Sequence, residues 1–208
     1  MEVRTITRVD PSLRADPHLK IDLYDPEAEL MLIHFGPQHP STHGVFRMDL
    51  YLDGEIVVKV VPYMGYLHRA VEKLLEKLTY VQGTPIVDKN DYVAPMTNEQ
   101  ALNMAYEKLL NLEVPRRARW IRTLFAELQR IASHLLAVGT FSLDLGGALG
   151  GGSTVFIHTF RERELILDLF EEVTGARFHY NTHTIGGNRH DLPAGFAAKA
   201  RAAMDVID

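Results

Sequence analysis

The chain has no cysteine in its 208 residues. That excludes disulfides, a thiolate nucleophile, and any zinc or iron–sulfur centre held by this chain's own thiolates. Long hydrophobic runs are missing too. None approaches the roughly 18 apolar residues that span a bilayer. The N-terminus is charged and has no apolar core of a signal peptide. A membrane, if one matters, is expected to be reached through partners. Positive charge is not in excess: 22 Lys and Arg stand against 27 Asp and Glu, a net charge of −5. Nucleic acid is therefore not the expected partner. What is present, 46% hydrophobic and 24% charged residues, is the balance of a globular protein with a buried core.

Along the chain the hydrophobic period changes once. Residues 1–27 are polar, carry Pro11, Pro17 and Pro26, and read as an extended arm. Glu29 to Phe35 reads as an apolar strand. Phe46, Met48, Leu50 and Leu52 then alternate with polar neighbours, and Ile56, Val58 and Val60 repeat the pattern after Asp53-Gly54. This predicts a β-hairpin with a type I′ turn at Asp53-Gly54, its second strand stopped by Pro62. Residues 28–66 thus form a sheet region and 67–208 a helical region. Leu67 to Tyr80 carries a helical stripe, broken at Gln82-Gly83-Thr84-Pro85. Residues 86–96 read as irregular. Thr97 with Gln100 predicts a capping box, and Leu102, Ala105, Tyr106, Leu109 and Leu110 the apolar face behind it. Pro115 suits the start of a long helix with Ile121, Leu124, Phe125, Leu128, Ile131, Leu135 and Leu136 on its buried side. Gly146 to Thr154 reads as a flexible joint. It lacks the Gly-Lys-[Ser/Thr] ending of a phosphate loop. A helix from Thr154 to Thr174 ends at Gly175, residues 178–193 are irregular or extended, and Phe196 onwards is a helix without a stop signal, as of a chain that is cut. Strands first and long helices after give an α+β class: an antiparallel sheet followed by a helical bundle.

The densest local signal is Gly36-Pro37-Gln38-His39-Pro40-Ser41-Thr42-His43-Gly44. Two histidines, two prolines and two glycines in nine residues forbid helix and central strand alike. Composition leaves two readings: a structured turn whose histidines bond backbone, or a rigid loop that presents them at a site. His39 with His43, and His179 with His183, are four apart, a spacing that chelates zinc on a helix. Pro40 rules out a helix for the first pair, neither pair carries the His-Glu-x-x-His glutamate, and no metal site is assigned. No Gly-x-Ser-x-Gly elbow supports Ser/His/Asp hydrolysis. The remaining proton-active groups on irregular backbone or nearby, His39, His43, Asp91, Tyr92, Asp144 and His179, suit proton delivery to a bound small molecule.

The run His34-Phe-Gly-Pro-Gln-His-Pro-Ser-Thr-His-Gly44 resembles the signature of the quinone-site subunit of respiratory complex I, the NADH:quinone oxidoreductase. The likeness continues through Gly65-Tyr66-Leu67-His68-Arg69, Thr79-Tyr80-Val81-Gln82, Asp91-Tyr92, Glu127 to Leu135, Leu143-Asp144-Leu145-Gly146, Phe160 to Glu164, Val173-Thr174-Gly175, Gly186-Gly187 and Asp191-Leu192-Pro193. It covers about residues 30 to 195 in order, the N-terminal half of the family chain. That family is similar to the large subunit of nickel–iron hydrogenases, whose metal cysteines are absent here.

The resemblance implies a hydrogenase-large-subunit-like fold and a site for a quinone head beside the terminal iron–sulfur cluster of a partner subunit. It implies that His43 and Tyr92 hydrogen-bond and protonate the quinone, and that Asp144 pairs with His43. Arg69 and His179 match residues close to the partner's cluster, without ligating it. Quinone is then substrate, NAD and the clusters sit in partner subunits, and no metal or cluster is bound by this chain. The implied partners are the other complex I subunits, above all the cluster-bearing subunit and the membrane-arm subunit at the quinone channel, in a peripheral position on the cytoplasmic face of the bacterial inner membrane. Three departures stand out. The stretch after Asp144 is longer and lacks the family's proline, Lys89 replaces an arginine, and Ala70 replaces a glycine. Two other readings stay open: a non-catalytic scaffold subunit of a related redox complex, and a His-based metalloenzyme that metal analysis would detect.

Overall fold

The computed structural model describes residues 2–6, 30–39, 42, 44–149 and 152–207, with the side chains of 2–6 and 147–149 left aside. The chain divides into two units, Met1–Ala70 and Val71–Asp208.

The first unit is one antiparallel sheet. Its strands are β1 (Glu2–Ile6), β2 (Leu30–Phe35), β3 (Arg47–Asp53) and β4 (Ile56–Tyr63), in the order β1-β2-β3-β4. Glu2 to Ile6 of the expected arm is thus a strand, while 7–27 lie outside the described residues. The hairpin forms with a different turn. Asp53 pairs with Ile56, so the loop is Gly54-Glu55, and only Gly54 has a positive φ, +59°. A positive φ confined to the first loop position belongs to a type II′ turn and asks for glycine there. Pro62 does not stop β4, for it pairs with Met48 inside the strand. Since β4 is an edge strand, the N–H that proline lacks need not serve a further neighbour. Leu30, Leu32 and Ile33 of β2 are buried, and Leu30 packs against Tyr51 and Val58.

The second unit is helical: α1 (Val71–Leu75), α2 (Tyr80–Val87), α3 (Pro95–Leu110), α4 (Arg116–Leu149), α5 (Gly152–Thr174) and α6 (Phe196–Ile207), with a short hairpin of β5 (His183–Thr184) and β6 (Gly187–Asn188) before α6. α4 and α5 form an antiparallel pair, with Gly139 against Phe156 and Thr159, and Gly146 against Gly152. Ile121, Phe125, Leu128 and Ala132 of α4 meet Ile166, Leu169, Phe170 and Val173 of α5 and Phe196 of α6 in one core. Phe125 stands edge-on to Phe170 at 5.9 Å and to Phe196 at 6.0 Å, a favourable aromatic geometry. Gly175, at φ +74°, ends α5 as expected. The two long helices run up to Leu149 and from Gly152, so helix occupies most of the expected flexible joint.

Three local expectations change. The stripe from Leu67 to Tyr80 is not one helix: Val71–Leu75 is helical, Tyr80 already begins α2, and Ala70 has φ +54°. The capping box is Thr79 with Gln82, so Gln82, Gly83, Thr84 and Pro85 lie inside α2 instead of breaking a helix. At Gly83 a Cβ would stand 2.7 Å from Leu75 Cδ2, so a larger residue would push that side-chain end aside. Thr97 is not a cap: α3 starts at Pro95 after Ala94, and the Thr97 hydroxyl donates back to the Ala94 carbonyl at 2.7 Å. Finally, α3 buries a polar stripe. Met96, Glu99, Asn103 and Glu107 face inward, while Leu109 and Leu110 are exposed.

Candidate functional site

The 36–44 loop leaves β2 through Gly36, at φ +78°. A Cβ there would lie 1.7 Å from the Phe46 carbonyl oxygen, so only glycine lets the loop turn this close to the next strand. His39 stacks on Phe35 with ring centres 4.9 Å apart, and its carbonyl accepts both the amide and the hydroxyl of Thr42, at 3.1 and 2.8 Å. His39 is thereby a built-in part of the turn. His43 lies outside the described residues. Beneath the loop's first residue, His34 Nδ1 meets Asp49 Oδ1 at 2.6 Å, and the Tyr63 hydroxyl donates to Asp49 Oδ2 at 2.8 Å. Burial alone would push the Asp49 carboxyl up. The His34 and Tyr63 hydrogen bonds, with the charges of His34 and Arg47, outweigh it and hold Asp49 below the usual range. Arg69 is exposed in the same unit.

Tyr92 belongs to the second unit, on the turn between α2 and α3. It is 55% exposed. The turn is built locally. Asp91 Oδ1 accepts the Val93 amide at 3.1 Å, and the Asp91 carbonyl accepts the Ala94 amide at 3.1 Å. From α4 the fully buried Gln129 donates to the Val93 carbonyl at 2.9 Å and pins the turn to the long helix. The Tyr92 ring lies 6.0 Å from Phe178, which in turn lies 4.4 Å from the ring of His179. Two expected site residues, Tyr92 and His179, therefore share one neighbourhood through Phe178. Asp144 stands exposed on α4.

Behind this face is a group of buried polar residues that the sequence did not single out. Asp88, at the end of α2, is 1% exposed, and its Oδ2 lies 3.3 Å from His179 Nδ1 and 3.8 Å from Lys89 Nζ. Glu99 of α3 is fully buried, and its Oε2 accepts the amides of Thr182 and His183 at 2.7 and 2.8 Å. Burial pushes the Glu99 carboxyl up to about 7, aided by the charge of Asp88 and opposed by those amides. Burial raises Asp88 as well, against the charges of His179 and Lys89. His183, also fully buried, is lowered to about 4 by desolvation, against its 2.9 Å bond to Asn188. It is neutral at pH 7.

One further pair ties the β5–β6 hairpin to the helices. Arg122 of α4 grips Glu107 of α3 with two bonds of 2.9 and 2.7 Å, and its Nη2 also donates to the carbonyls of Thr184 and Gly187. The Gly186 amide donates to Glu107 at 2.8 Å. The inward stripe of α3, Glu99 and Glu107, is therefore what holds the segment that carries His179 and His183. The visible signal for it was the i, i+4 spacing of Glu99, Asn103 and Glu107, which hydrophobic patterning passes over. Among the described residues no group of three or more His, Asp or Glu side chains has metal-site geometry, and no helix is long and apolar enough to cross a membrane.

An antiparallel sheet unit followed by a helical unit sets the class: an α+β protein. Known proteins agree with the family read from the motifs. The sequence model described as the respiratory-chain NADH dehydrogenase 49 kDa subunit matches residues 150–208. The D subunit of NADH-quinone oxidoreductase from Citrifermentans bemidjiense is 49% identical over 180 residues, 86% of this chain and 45% of the relative. The D subunit from Desulforamulus reducens is 50% identical over 181 residues, 87% of this chain and 48% of the relative. The second D subunit of Rhizobium etli is 48% identical over 191 residues, 89% of this chain and 46% of the relative. Over most of its length the chain is similar to the D subunits of NADH-quinone oxidoreductase, and it spans about half the length of the curated relatives it matches.

Proposed function

We propose that this chain supplies one wall of a quinone-head site in an NADH:quinone oxidoreductase, next to the iron–sulfur cluster of a partner subunit. Reduction of a quinone to a quinol takes two electrons and two protons. In this reading the electrons come from the partner's cluster, and the protons from His43 and Tyr92. Asp144 pairs with His43 and holds it charged, since a nearby carboxylate raises an imidazole's proton affinity. The observation that carries the reading is Tyr92. It is 55% exposed on a turn whose backbone is fixed by the buried Gln129, which is how a donor is presented in a constant position. Arg69 and His179 face the partner's cluster and shape the potential around it without ligating it. The remaining partners are the membrane-arm subunit at the quinone channel and the rest of the complex, on the cytoplasmic face of the membrane.

The test uses the assembled complex with Tyr92→Phe and His43→Ala. Quinone reduction falls while assembly and NADH:ferricyanide reduction persist. If both activities fell together, the residues would be structural and the chain a scaffold.

A further inference from the structure

We propose that the start of α4 around Trp120 is a docking surface for a partner subunit, and that it takes a segment carrying a carboxylate beside a large aliphatic side chain. The surface lies within the helical unit, and the inference does not use the quinone reading of Tyr92.

The chain has a single tryptophan, and it is 64% exposed. Trp120 is a wall of two neighbouring hollows. The larger, of about 580 Å³, has Ile121, Leu124 and Leu192 as its apolar lining and Arg116 and Arg117 beside them. The smaller, of about 320 Å³, lies between Trp120, Arg116, Arg119 and Thr123. Tryptophan and arginine are the side chains that most often dominate binding energy at protein interfaces.

The charge here is opposite to that of the whole chain. Net charge is −5, yet Arg116, Arg117, Arg119 and Arg122 fall within about two turns of α4. Two of the four are engaged. Arg122 is buried against Glu107, and Arg117 Nε donates to both carboxylate oxygens of Asp191 at 2.9 and 3.0 Å. Arg116 and Arg119 are exposed, and among the described residues neither pairs with a carboxylate. The next acid along the exposed side of the helix, Glu127, is taken by Arg130.

The chain itself shows what such a surface holds. Asp191 and Leu192 are consecutive. The Asp191 carboxylate sits on Arg117, and Leu192 lines the larger hollow with Ile121 and Leu124. Acid on guanidinium with an aliphatic side chain on an apolar floor is thus the mode of recognition already in use. Arg116, Arg119 and the exposed indole offer the same groups a second time, a guanidinium for a carboxylate and an aromatic face for an aliphatic side chain.

The partner is a protein chain and not a lipid surface. A helix that lies on a membrane needs a continuous apolar face. Here the single indole is followed on its side of α4 by Thr123, Glu127 and Arg130, all exposed. The composition also differs from that of a core within one chain, such as the one around Phe125. Aromatic and arginine side chains together mark contacts between separate chains.

The test places the photo-crosslinking residue benzoylphenylalanine at position 120 of the full chain in the assembled complex. After irradiation the captured peptide is identified by mass spectrometry. Expected is one site in a partner subunit, with an Asp or Glu next to a Leu, Ile, Val or Met. Arg116→Glu with Arg119→Glu then lowers the yield about tenfold. Changing the partner's acid to lysine in that background restores it. Should the complex not assemble with the probe at 120, the probe at exposed Thr123, on the smaller hollow, gives the same readings. Capture of lipid, of a second copy, of another part of this chain or of nothing overturns the proposal. So does a yield that ignores the charge reversal. Tyr92→Phe leaves the crosslink as it is, so the docking surface and the quinone reading fail separately.

Discussion

The Oδ2 of Asp88 lies 3.3 Å from Nδ1 of His179, joining a residue sealed at the end of α2 to one on an irregular segment about ninety positions later. The contact is one of those that keep the 177–188 segment, whose only regular structure among the described residues is the short β5–β6 hairpin, in place. Its anchors are polar: Asp88 and Glu99 at one end, Glu107 and Arg122 at the other.

Arg122→Leu tests the second anchor. The Arg122 and Glu107 side chains are 3% and 6% exposed, so removing the guanidinium leaves a buried carboxylate without its counter-charge. Breaking such a pair costs about 3–5 kcal/mol. The unfolding free energy of the variant, read from urea denaturation, should fall by that amount, and the double variant Arg122→Leu, Glu107→Leu should recover part of it. A double variant no better than the single would show that the pair's charge is not what matters.

His183 gives stability a pH dependence whose sign is fixed. Its proton affinity in the fold is lowered from 6.5 to about 4, so the unfolded chain binds more protons across that window. Its contribution is therefore present above 6.5 and is lost as pH falls towards 4. Glu99, raised from 4.5 to about 7, acts in the opposite sense and loses its contribution as pH rises through that range. The stability gap between wild type and His183→Asn should shrink as pH drops, by as much as about 3 kcal/mol. Denaturation curves at several pH values measure it, and a gap that does not move with pH would contradict the assignment.

Gly152→Ala tests the α4–α5 junction. The added Cβ would lie 2.0 Å from the Ser142 carbonyl oxygen and 2.8 Å from Gly146 Cα, both backbone atoms that cannot swing aside. The helices must part, at a cost of about 1–3 kcal/mol. A clear drop in melting temperature is expected. Gly175→Ala is the comparison: nothing lies within 4 Å of its Cβ, and only the φ of +74° opposes it. Equal losses in the two variants would mean that the close helix approach is not what Gly152 serves.

Much of this architecture was legible because local and global preferences agree. The alternation around Gly54, the stripe of Ile121, Phe125 and Leu128, and Gly175 after α5 each point the way the fold goes. The failures share a cause. Hydrophobic periodicity put Leu109 and Leu110 inside, but α3 faces a hairpin whose amides need acceptors, so Glu99 and Glu107 are turned inward and the leucines outward. Thr97 and Thr79 both precede a glutamine by three residues, but Thr79 stands just before α2, whereas α3 starts at Pro95 and leaves Thr97 inside it. Of the candidate site residues, Tyr92 was named through its motif. The neighbours of its turn, Gln129 and Phe178, become visible only when distant segments are brought together.

The central claim is that Tyr92 delivers a proton to a quinone. The measurement that reaches it most directly is the ratio of NADH:quinone to NADH:ferricyanide turnover in the complex carrying Tyr92→Phe, which removes one hydroxyl and keeps the ring on Phe178. The account predicts that the ratio falls by at least about tenfold. A ratio equal to that of the wild type would contradict it.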